Sequence, residues 1–465
     1  MTKQAFRRPG RKVLVLGGGL AGIAAALRLA EAGWHVVLIE ARRRLGGRAG
    51  SHIDPQSDEL LDNCQHVLLG CCTHLIDLYR RLGVSHMIEW HEALHFLDGQ
   101  GHHDILRRSR LPAPLHLGVS IARFRSLSWQ AKRDLSRAAL ALARCTPPER
   151  RRWENEPFVH WLAVHGQPPE AIDRFWNPVI TSALNQDVRQ ANAAYALQVL
   201  RQGFLAHRDA YLMGVATVPL GRLYEPAERI LQERGGRVLL GTSVRRLVYE
   251  RSRLAGVELR NQPVMEADAY VSALPVEQLL RAAPSGLREA DERFDRLHEL
   301  RSSPILGVHL WFDRAVMRLP HAALLDSPLH WVFNRGQDAS GRQHLHVVIS
   351  AAVEWMNREP KQILADVCGE LMRYLPETRT TPLAAGKVVK ERRATFAPVP
   401  GVDALRPPPT GSTGNLVLAG DFCQTGWPAT MEGAVRSGYR AAAALMNSAE
   451  MSVADLPDAW LARNL

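Results

Sequence analysis

Residues 13–40, VLVLGGGLAGIAAALRLAEAGWHVVLIE, decide the fold, because they spell a strand, a glycine turn, a helix and a second strand that ends in an acid. Val13 to Leu16 is the short apolar run of a buried parallel strand, and Gly17, Gly19 and Gly22 follow it at G-x-G-x-x-G spacing. Gly17 permits the tight turn, Gly19 lets backbone N–H groups approach a pyrophosphate, and Gly22 lets the helix lie close on its sheet. Leu20 and Ala21 open that helix, whose positive N-terminus is where the pyrophosphate sits. Ile23, Leu27 and Ala30 continue an apolar face at helical spacing, Gly33 stops the helix, and Val36 to Ile39 forms the next strand. Glu40 follows 18 residues beyond Gly22. An acid there accepts hydrogen bonds from a ribose diol and repels a 2′-phosphate, so the expected ligand is FAD or NAD rather than NADP.

Directly after Glu40 come Ala41, the arginines Arg42, Arg43 and Arg44, then Leu45, Gly46, Gly47 and Arg48. The glycine pair makes a second turn of backbone donors, and Arg48 is a charge-assisted partner for a phosphate. Far away, Asn415 to Ala419 reads as another buried strand, followed by Gly420, Asp421 and the turn Gly426 to Gly433 before a helix over 434–446. That order supplies an acid for a ribityl or ribose hydroxyl and free helix-terminal N–H groups for the edge of a flavin.

Both ends resemble the flavin amine oxidase and carotenoid desaturase superfamily. The resemblance implies that Ala41, Arg42, Gly47 and Arg48 lie around the FAD pyrophosphate and that Gly420 and Asp421 touch the ribityl-pyrophosphate. It places Pro428, Ala429, Thr430 and Met431 along the isoalloxazine and the backbone of Val244 against the adenine. The implied fold is α/β, a Rossmann-like FAD-binding domain with an interleaved α+β substrate domain. We expect residues 1–105, 206–275 and 385–448 in the FAD domain, 106–205 and 276–384 in the substrate domain, and a C-terminal tail over 449–465. In the middle of the chain, a helix is expected over 223–234, strands over 237–247 and 269–274, and an antiparallel sheet that includes 305–312 and 344–350.

At 465 residues, 46% hydrophobic and 23% charged, the chain has ordinary globular balance and length for two cores. The net charge of +11 is less ordinary, and much of it falls between Arg107 and Arg152, interleaved with Leu, Ile, Phe124 and Trp129. A solvated helix face and attraction to anionic lipid headgroups both explain such a stretch, and no nucleic-acid motif accompanies it. Arg7, Arg8, Arg11 and Lys12 imitate a twin-arginine signal, but the apolar segment behind them is the nucleotide cradle itself, so no cleavage is expected. With no long apolar run, no transmembrane helix is expected, and the location is expected to be cytoplasmic or peripheral to a membrane. The six cysteines, including adjacent Cys71 and Cys72, show no metal or C-x-x-C spacing, and neither they nor the 19 histidines suggest a metal site.

A narrower resemblance runs through Asp62, Asn63, Cys64, Gln65, His66 and Val67 to Gly70, then Leu75 to Gly83, Trp176 to Asn185, and Arg392, Ala394, Thr395 and Phe396 leading to Arg406 and Pro407. These segments are similar to squalene-associated FAD-dependent desaturases, also called hydroxysqualene dehydroxylases; Cys64 departs from an expected glycine. The resemblance implies reduction of hydroxysqualene, a C30 isoprenoid allylic alcohol, to squalene for hopanoid or sterol synthesis, with an electron donor that the sequence does not identify. Hydroxide leaves only when protonated, so an acid is required, and His66, Asp62 and Glu354 are the candidates. His66 and Asp62 serve equally well as a structural pair. An apolar tunnel suffices to hold such a chain, and Trp176, Leu184, Trp311, Phe333 and Trp427 are candidate walls or plain core. Three alternatives stay open: a carotenoid desaturase running in the opposite direction, an amine oxidase, and a prenyl-lipid escort without flavin.

Overall fold

The computed structural model describes residues 10–55, 58, 60–447 and 453–463; Arg7, Arg8 and part of the expected C-terminal tail lie outside the described residues. A five-stranded sheet is assembled from distant pieces of chain, in the order Arg237–Leu239, His35–Ile39, Lys12–Leu16, Ala269–Ser272 and Leu416–Leu418. Every neighbouring pair is parallel, with Leu16 opposite both Ile39 and Ser272. Its strands carry unbroken apolar runs because both faces are covered: Val13 through Leu16 are wholly buried. The first strand lies between the second and the Ala269–Ser272 strand, so the chain winds outward in both directions from it. Such a reversal opens a crevice at the strands' carboxyl ends, where Gly17 begins its turn.

The helix Leu20–Glu31 covers one face of this sheet and packs on the C-terminal helix Met431–Met446. The approach is close enough that a Cβ on Gly438 would overlap the Ala21 carbonyl and press on Ala24. Several expected bounds shift. The C-terminal helix starts at Met431, and the expected helix over 223–234 is a 3-10 turn, Leu220–Leu223, followed by the helix Pro226–Glu233. The strand expected over 237–247 is broken. Arg237–Leu239 stays in the parallel sheet, Gly241 turns at φ +66°, and the chain leaves as the hairpin Val244–Glu250 and Arg253–Leu259.

The second sheet has seven strands in the order Leu383–Phe396, Ser302–Phe312, Gln343–Ile349, Trp331–Gln337, His321–Leu324, Ala93–Leu97 and His103–Arg107. Its presence corrects two expected domain limits. Residues 93–105 and 385–396 join the substrate-side sheet rather than the FAD domain: the strands Ala93–Leu97 and His103–Arg107 alternate between two faces, and Leu383–Phe396 pairs along Ser302–Phe312. One face, with Leu306, Val308, Leu310, Val347 and Ile349, packs on Ile363, Val367 and Leu371 of the helix Pro360–Tyr374. The other carries Gly307, His309, Trp311, His346 and Phe333 and turns toward the first domain. A helical layer, including Trp129–Arg144, Phe158–Val164, Asn177–Leu184 and Ala193–Leu200, completes this half around Phe158, Trp161 and Trp176.

The tight contact between the two helices yields a prediction. Gly438→Val should destabilise the protein by about 1–3 kcal/mol through overpacking, read as a lower Tm, whereas exposed Gly369→Ala, with open space around it, should leave Tm within about a degree or raise it.

Candidate active site

The two glycine turns and the C-terminal motif converge at the carboxyl ends of the parallel sheet. Gly17 holds φ +105° while its N–H donates to Ile39 O at 2.8 Å, and a Cβ on Gly22 would overlap the Gly17 carbonyl. Gly19 precedes the first helix without any side-chain cap, and the first amide inside the helical ladder is that of Ile23, donating to Gly19 O at 2.9 Å. The Leu20, Ala21 and Gly22 N–H groups therefore point out of the helix end. A Cβ on Gly19 would meet nothing nearer than Gly47 Cα at 3.9 Å, so open room lies beside those donors.

Glu40 is buried at the end of the second strand. Its Oε2 accepts from Gly18 N at 2.6 Å and its Oε1 from Arg42 N at 2.8 Å, which fixes the carboxylate between the turns while each oxygen keeps a lone pair for a ribose hydroxyl. Gly46 and Gly47 turn at φ +111° and +59°, Gly46 N donates to Gly18 O at 2.9 Å, and the Arg42 guanidinium donates to Gly47 O at 3.0 Å. Ala41 is exposed beside them. Gly241 N and Thr242 N donate to Arg42 O and Glu40 O, both at 2.9 Å, and bring Val244 alongside this nucleotide end.

Arg48 reaches across the molecule. It donates to Ala394 O at 3.0 Å and forms an ion pair with Asp421, while Asn63 Nδ2 donates to Arg48 O at 3.2 Å. Gly420 N donates to Ser437 Oγ at 2.8 Å, and the buried Arg406 donates to Asp421 O at 3.1 Å and to Cys423 O. Behind them, buried Pro428 and Ala429 lead to Thr430, whose hydroxyl accepts from Gly433 N at 3.1 Å. That cap leaves the Met431 and Glu432 amides outside the helical ladder and facing the same crevice end. The Glu432 side chain turns away and is wholly buried, accepting from His74 N at 3.1 Å and Leu75 N at 2.8 Å. It thereby caps the helix Thr73–Leu82 with a side chain from the far end of the sequence. Ser272 Oγ, at the carboxyl end of its strand, is buried without a partner among the described residues. Open amides at two helix ends, an acid at the second strand, a paired arginine and an unsatisfied hydroxyl fit an FAD laid across the crevice.

The three acid candidates are not brought to one place. Asp62 is fastened: its Oδ1 accepts from Ser51 Oγ at 2.6 Å and Leu220 N at 2.8 Å, and its Oδ2 faces Arg335 at 4.0 Å. Those contacts make Asp62 a brace between segments rather than a free donor. Glu354 is exposed on the short turn Val353–Trp355 and makes no hydrogen bond to His66 or Asp62 among the described residues, so it is set aside as an acid. Among the described residues His66 makes one side-chain hydrogen bond, Nδ1 to Cys64 O at 2.8 Å, and Nε2 makes none. Burial lowers its pKa, against the pull of the Cys64 carbonyl and the Asp62 and Glu391 carboxylates. Beside it, Gln65 Oε1 is buried without a partner among the described residues. Cys64, at the position where glycine was expected, is accommodated because the facing residue is Gly307, whose Cβ would lie 3.3 Å from Cys64 Sγ.

The sequence reading missed a histidine layer on the facing sheet. His309 stacks on His346 with centroids 3.8 Å apart, His309 Nδ1 meets His344 Nε2 at 3.0 Å, and Trp311 stacks on His344 at 4.5 Å. His309 Nε2 also meets Asp62 O at 3.1 Å, and His346 Nε2 is buried with no partner among the described residues. Desolvation, reinforced by neighbouring cations and imidazoles, pushes His309 down to about 4 and His344 to about 3. The signal was the alternation His344-x-His346 in a strand, which places both rings on one face. Of the candidate walls, Trp311 and Phe333 share this face, whereas Trp176 is plain core, donating to Gln167 Oε1 at 2.8 Å among Phe158 and Phe175. Leu184 is buried in the same helical core, and Trp427 lies under the Arg436 guanidinium at 4.5 Å. All six cysteines are free, and no group of three or more metal-ligating side chains occurs among the described residues.

The chain belongs to the flavin-containing amine oxidoreductase family, whose model matches residues 20–446. It is 26% identical over 455 residues to 15-cis-phytoene desaturase of Synechococcus elongatus, covering 94% of this chain and 96% of the relative. It is 26% identical to the zeta-carotene desaturase of Zea mays, covering 96% and 85%. Among solved structures, putrescine oxidase with bound putrescine superposes with a TM-score of 0.71 at 18% identity, covering 94% of this chain and 99% of that one. An oxidoreductase from Methanosarcina mazei superposes with a TM-score of 0.69 at 15% identity, covering 94% and 100%. The protein is an FAD-dependent oxidoreductase with an amine-oxidase-type fold.

Arg48→Ala removes the guanidinium shared by Asp421 and the phosphate end and should weaken FAD retention about tenfold or more, measured by flavin absorbance in a binding titration. The buried histidines His309 and His321, the latter pushed down to about 3 mainly by burial, set a pH dependence. The unfolded chain takes up their protons below about pH 6.5 while the folded protein refuses them, so the stability is complete above that pH and is lost as pH falls toward 3–4. At pH 5 each costs about 2 kcal/mol, and melting curves should show Tm falling from pH 7.5 to 5, less so in His321→Phe.

Proposed function

We propose that this protein is a hydroxysqualene dehydroxylase, reducing an allylic alcohol in the middle of a C30 polyene to squalene. Near-full-length similarity to proteins named phytoene and zeta-carotene desaturases supports a long isoprenoid polyene as the substrate class. The observation that carries the reaction is the His66 imidazole, bonded through Nδ1 while Nε2 makes no hydrogen bond among the described residues, on the Asn63-to-His66 segment tied to Arg48. Reduced FAD supplies the hydride. The protein must do the rest: protonate the departing hydroxyl, hold the chain and exclude water. With Nδ1–H donating to Cys64 O, His66 Nε2 is the atom that carries the transferable proton when the ring is charged. As that proton moves to oxygen the C–O bond breaks and water leaves, and a flavin held in the crevice would supply the hydride that the allylic carbon then needs.

A depressed pKa suits this role in one respect: the imidazolium gives up its proton readily. Its cost is that only a minor fraction of the ring is charged at neutral pH. Trp311 and Phe333, on the sheet face turned toward the Asn63-to-His66 segment, carry aromatic rings of the kind that attract a delocalised cation. A second reading is favoured by the same atom. Neutral His66 presents a lone pair at Nε2, which suits proton abstraction during desaturation, the direction named for the relatives.

The two readings separate cleanly. Anaerobically reduced protein mixed with hydroxysqualene should be reoxidised with one squalene formed per flavin, read by absorbance and mass spectrometry; bleaching of the oxidised flavin by phytoene, with no reaction of hydroxysqualene, would instead establish desaturation. For dehydroxylation kcat/KM should fall as pH rises through and above the lowered His66 pKa, since the charged acid is lost, and a desaturase using the neutral base should show the opposite slope. His66→Gln should slow the reoxidation step by about 10²–10⁴ and flatten that profile while FAD stays bound.

A further inference from the structure

Five large apolar side chains stand out of the protein within one short stretch: Ile105, Leu111, Leu115, Val119 and Trp129, with exposures of 41, 44, 51, 38 and 76%. They form one surface. The 3-10 turn Leu115–Leu117 runs directly into the helix Gly118–Arg123, so Leu115, Val119 and Ala122 share its outer side, while Leu117 and the following Phe124 are buried. Ser120 Oγ donates to Arg107 O at 2.5 Å and accepts from Arg107 N at 3.0 Å, which ties this helix to the strand bearing Ile105. Lys132 Nζ donates to Ala122 O at 3.2 Å, which brings the start of the next helix, and with it Trp129, alongside. Ser109 N donates to His116 O at 2.7 Å and Leu115 N to Pro112 O at 2.9 Å, closing the loop that carries Leu111.

Cations predominate around these side chains, although the Glu170 carboxylate accepts from Ser128 N and Oγ beside Trp129. Between residues 107 and 132 there are six Arg and Lys and no carboxylate. Other elements bring Glu92, which pairs with Arg107 at 3.5 Å and Arg108 at 2.8 Å, and Asp209, which also pairs with Arg108. Exposed Arg110, Arg123 and Arg125 make no ion pair among the described residues. Next to the loop, a cavity of about 460 Å³ is lined by Arg110, His207, Arg208, Asp458 and Trp460.

A solvated helix face does not aim its aliphatic residues outward, and a protein-binding groove would be concave with charges of both signs. Outward apolar side chains ringed by unpaired guanidinium groups match an interface of hydrocarbon beneath phosphate. We propose that this surface docks the protein on an anionic lipid bilayer, with Leu111, Leu115, Val119 and Trp129 entering the headgroup layer and Arg110, Arg123 and Arg125 meeting lipid phosphates. The FAD-bound full-length protein should co-sediment with vesicles of phosphatidylglycerol and phosphatidylcholine. Binding should be much weaker to phosphatidylcholine alone, and should fall in high salt. Leu115→Glu with Val119→Glu should reduce partitioning about tenfold or more with flavin content and Tm unchanged, while Arg229→Glu on a distant helix should not. Brominated phosphatidylglycerol should quench tryptophan fluorescence, and less so in Trp129→Phe. Undiminished vesicle binding by the double variant overturns the proposal, and so does a parent protein that ignores vesicles but dimerises through this face in sedimentation velocity. The vesicles contain no isoprenoid, so the outcome does not depend on which polyene is turned over.

Discussion

The ion pair between Arg48 and Asp421 is the contact on which the site depends, because it joins two motifs 373 residues apart in the chain. Neither motif makes a cofactor site alone. The N-terminal turns offer amides and an acid, and the C-terminal turn offers a carboxylate and a second helix end. A charge-assisted bond between them sets their spacing. Around it, Arg406 holds the carbonyls of Asp421 and Cys423, Asn63 holds the Arg48 carbonyl, and Glu432 ties the C-terminal helix to the start of the Thr73–Leu82 helix. Each is a buried polar group whose desolvation is offset only when both partners are in place, so the domain closes as a unit.

The second sheet meets this clasp with two unlike faces. Its aliphatic face needs only burial and takes the helix Pro360–Tyr374. Its other face sets imidazoles, Trp311 and Phe333 opposite the Asn63-to-His66 segment, where Gly307 leaves room for Cys64. Burying several histidines together keeps them neutral, since one charged ring would have to be solvated by rings that lack anions. The result is a wall that is polarisable and uncharged. The consequence is a fold that weakens in acid.

Much of the nucleotide domain was legible because its signals are local. The spacing of Gly17, Gly19 and Gly22, the acid at Glu40 and the Gly46-Gly47-Arg48 turn act through backbone geometry that neighbouring residues fix. The limits of the domains were not legible. The strands Ala93–Leu97 and His103–Arg107 alternate as any half-buried strand does, Leu383–Phe396 shows no such period, and neither pattern names the sheet a strand will join. Glu354 had the right chemistry, but its turn leaves the carboxylate in solvent, while Asp62 was spent on Ser51 and Leu220. His309, His344 and His346 went unread because strands separated by more than thirty residues bring them together.

The sequence by itself therefore determined the cofactor class and the crossover that cradles it, since a helix N-terminus, a positive φ and a strand-end acid are properties of short segments. Only the tertiary structure decided that Asp62 is fastened and Glu354 exposed, which rings share one sheet face and which apolar side chains stay outside, because those depend on what packs against a residue from a distant part of the chain.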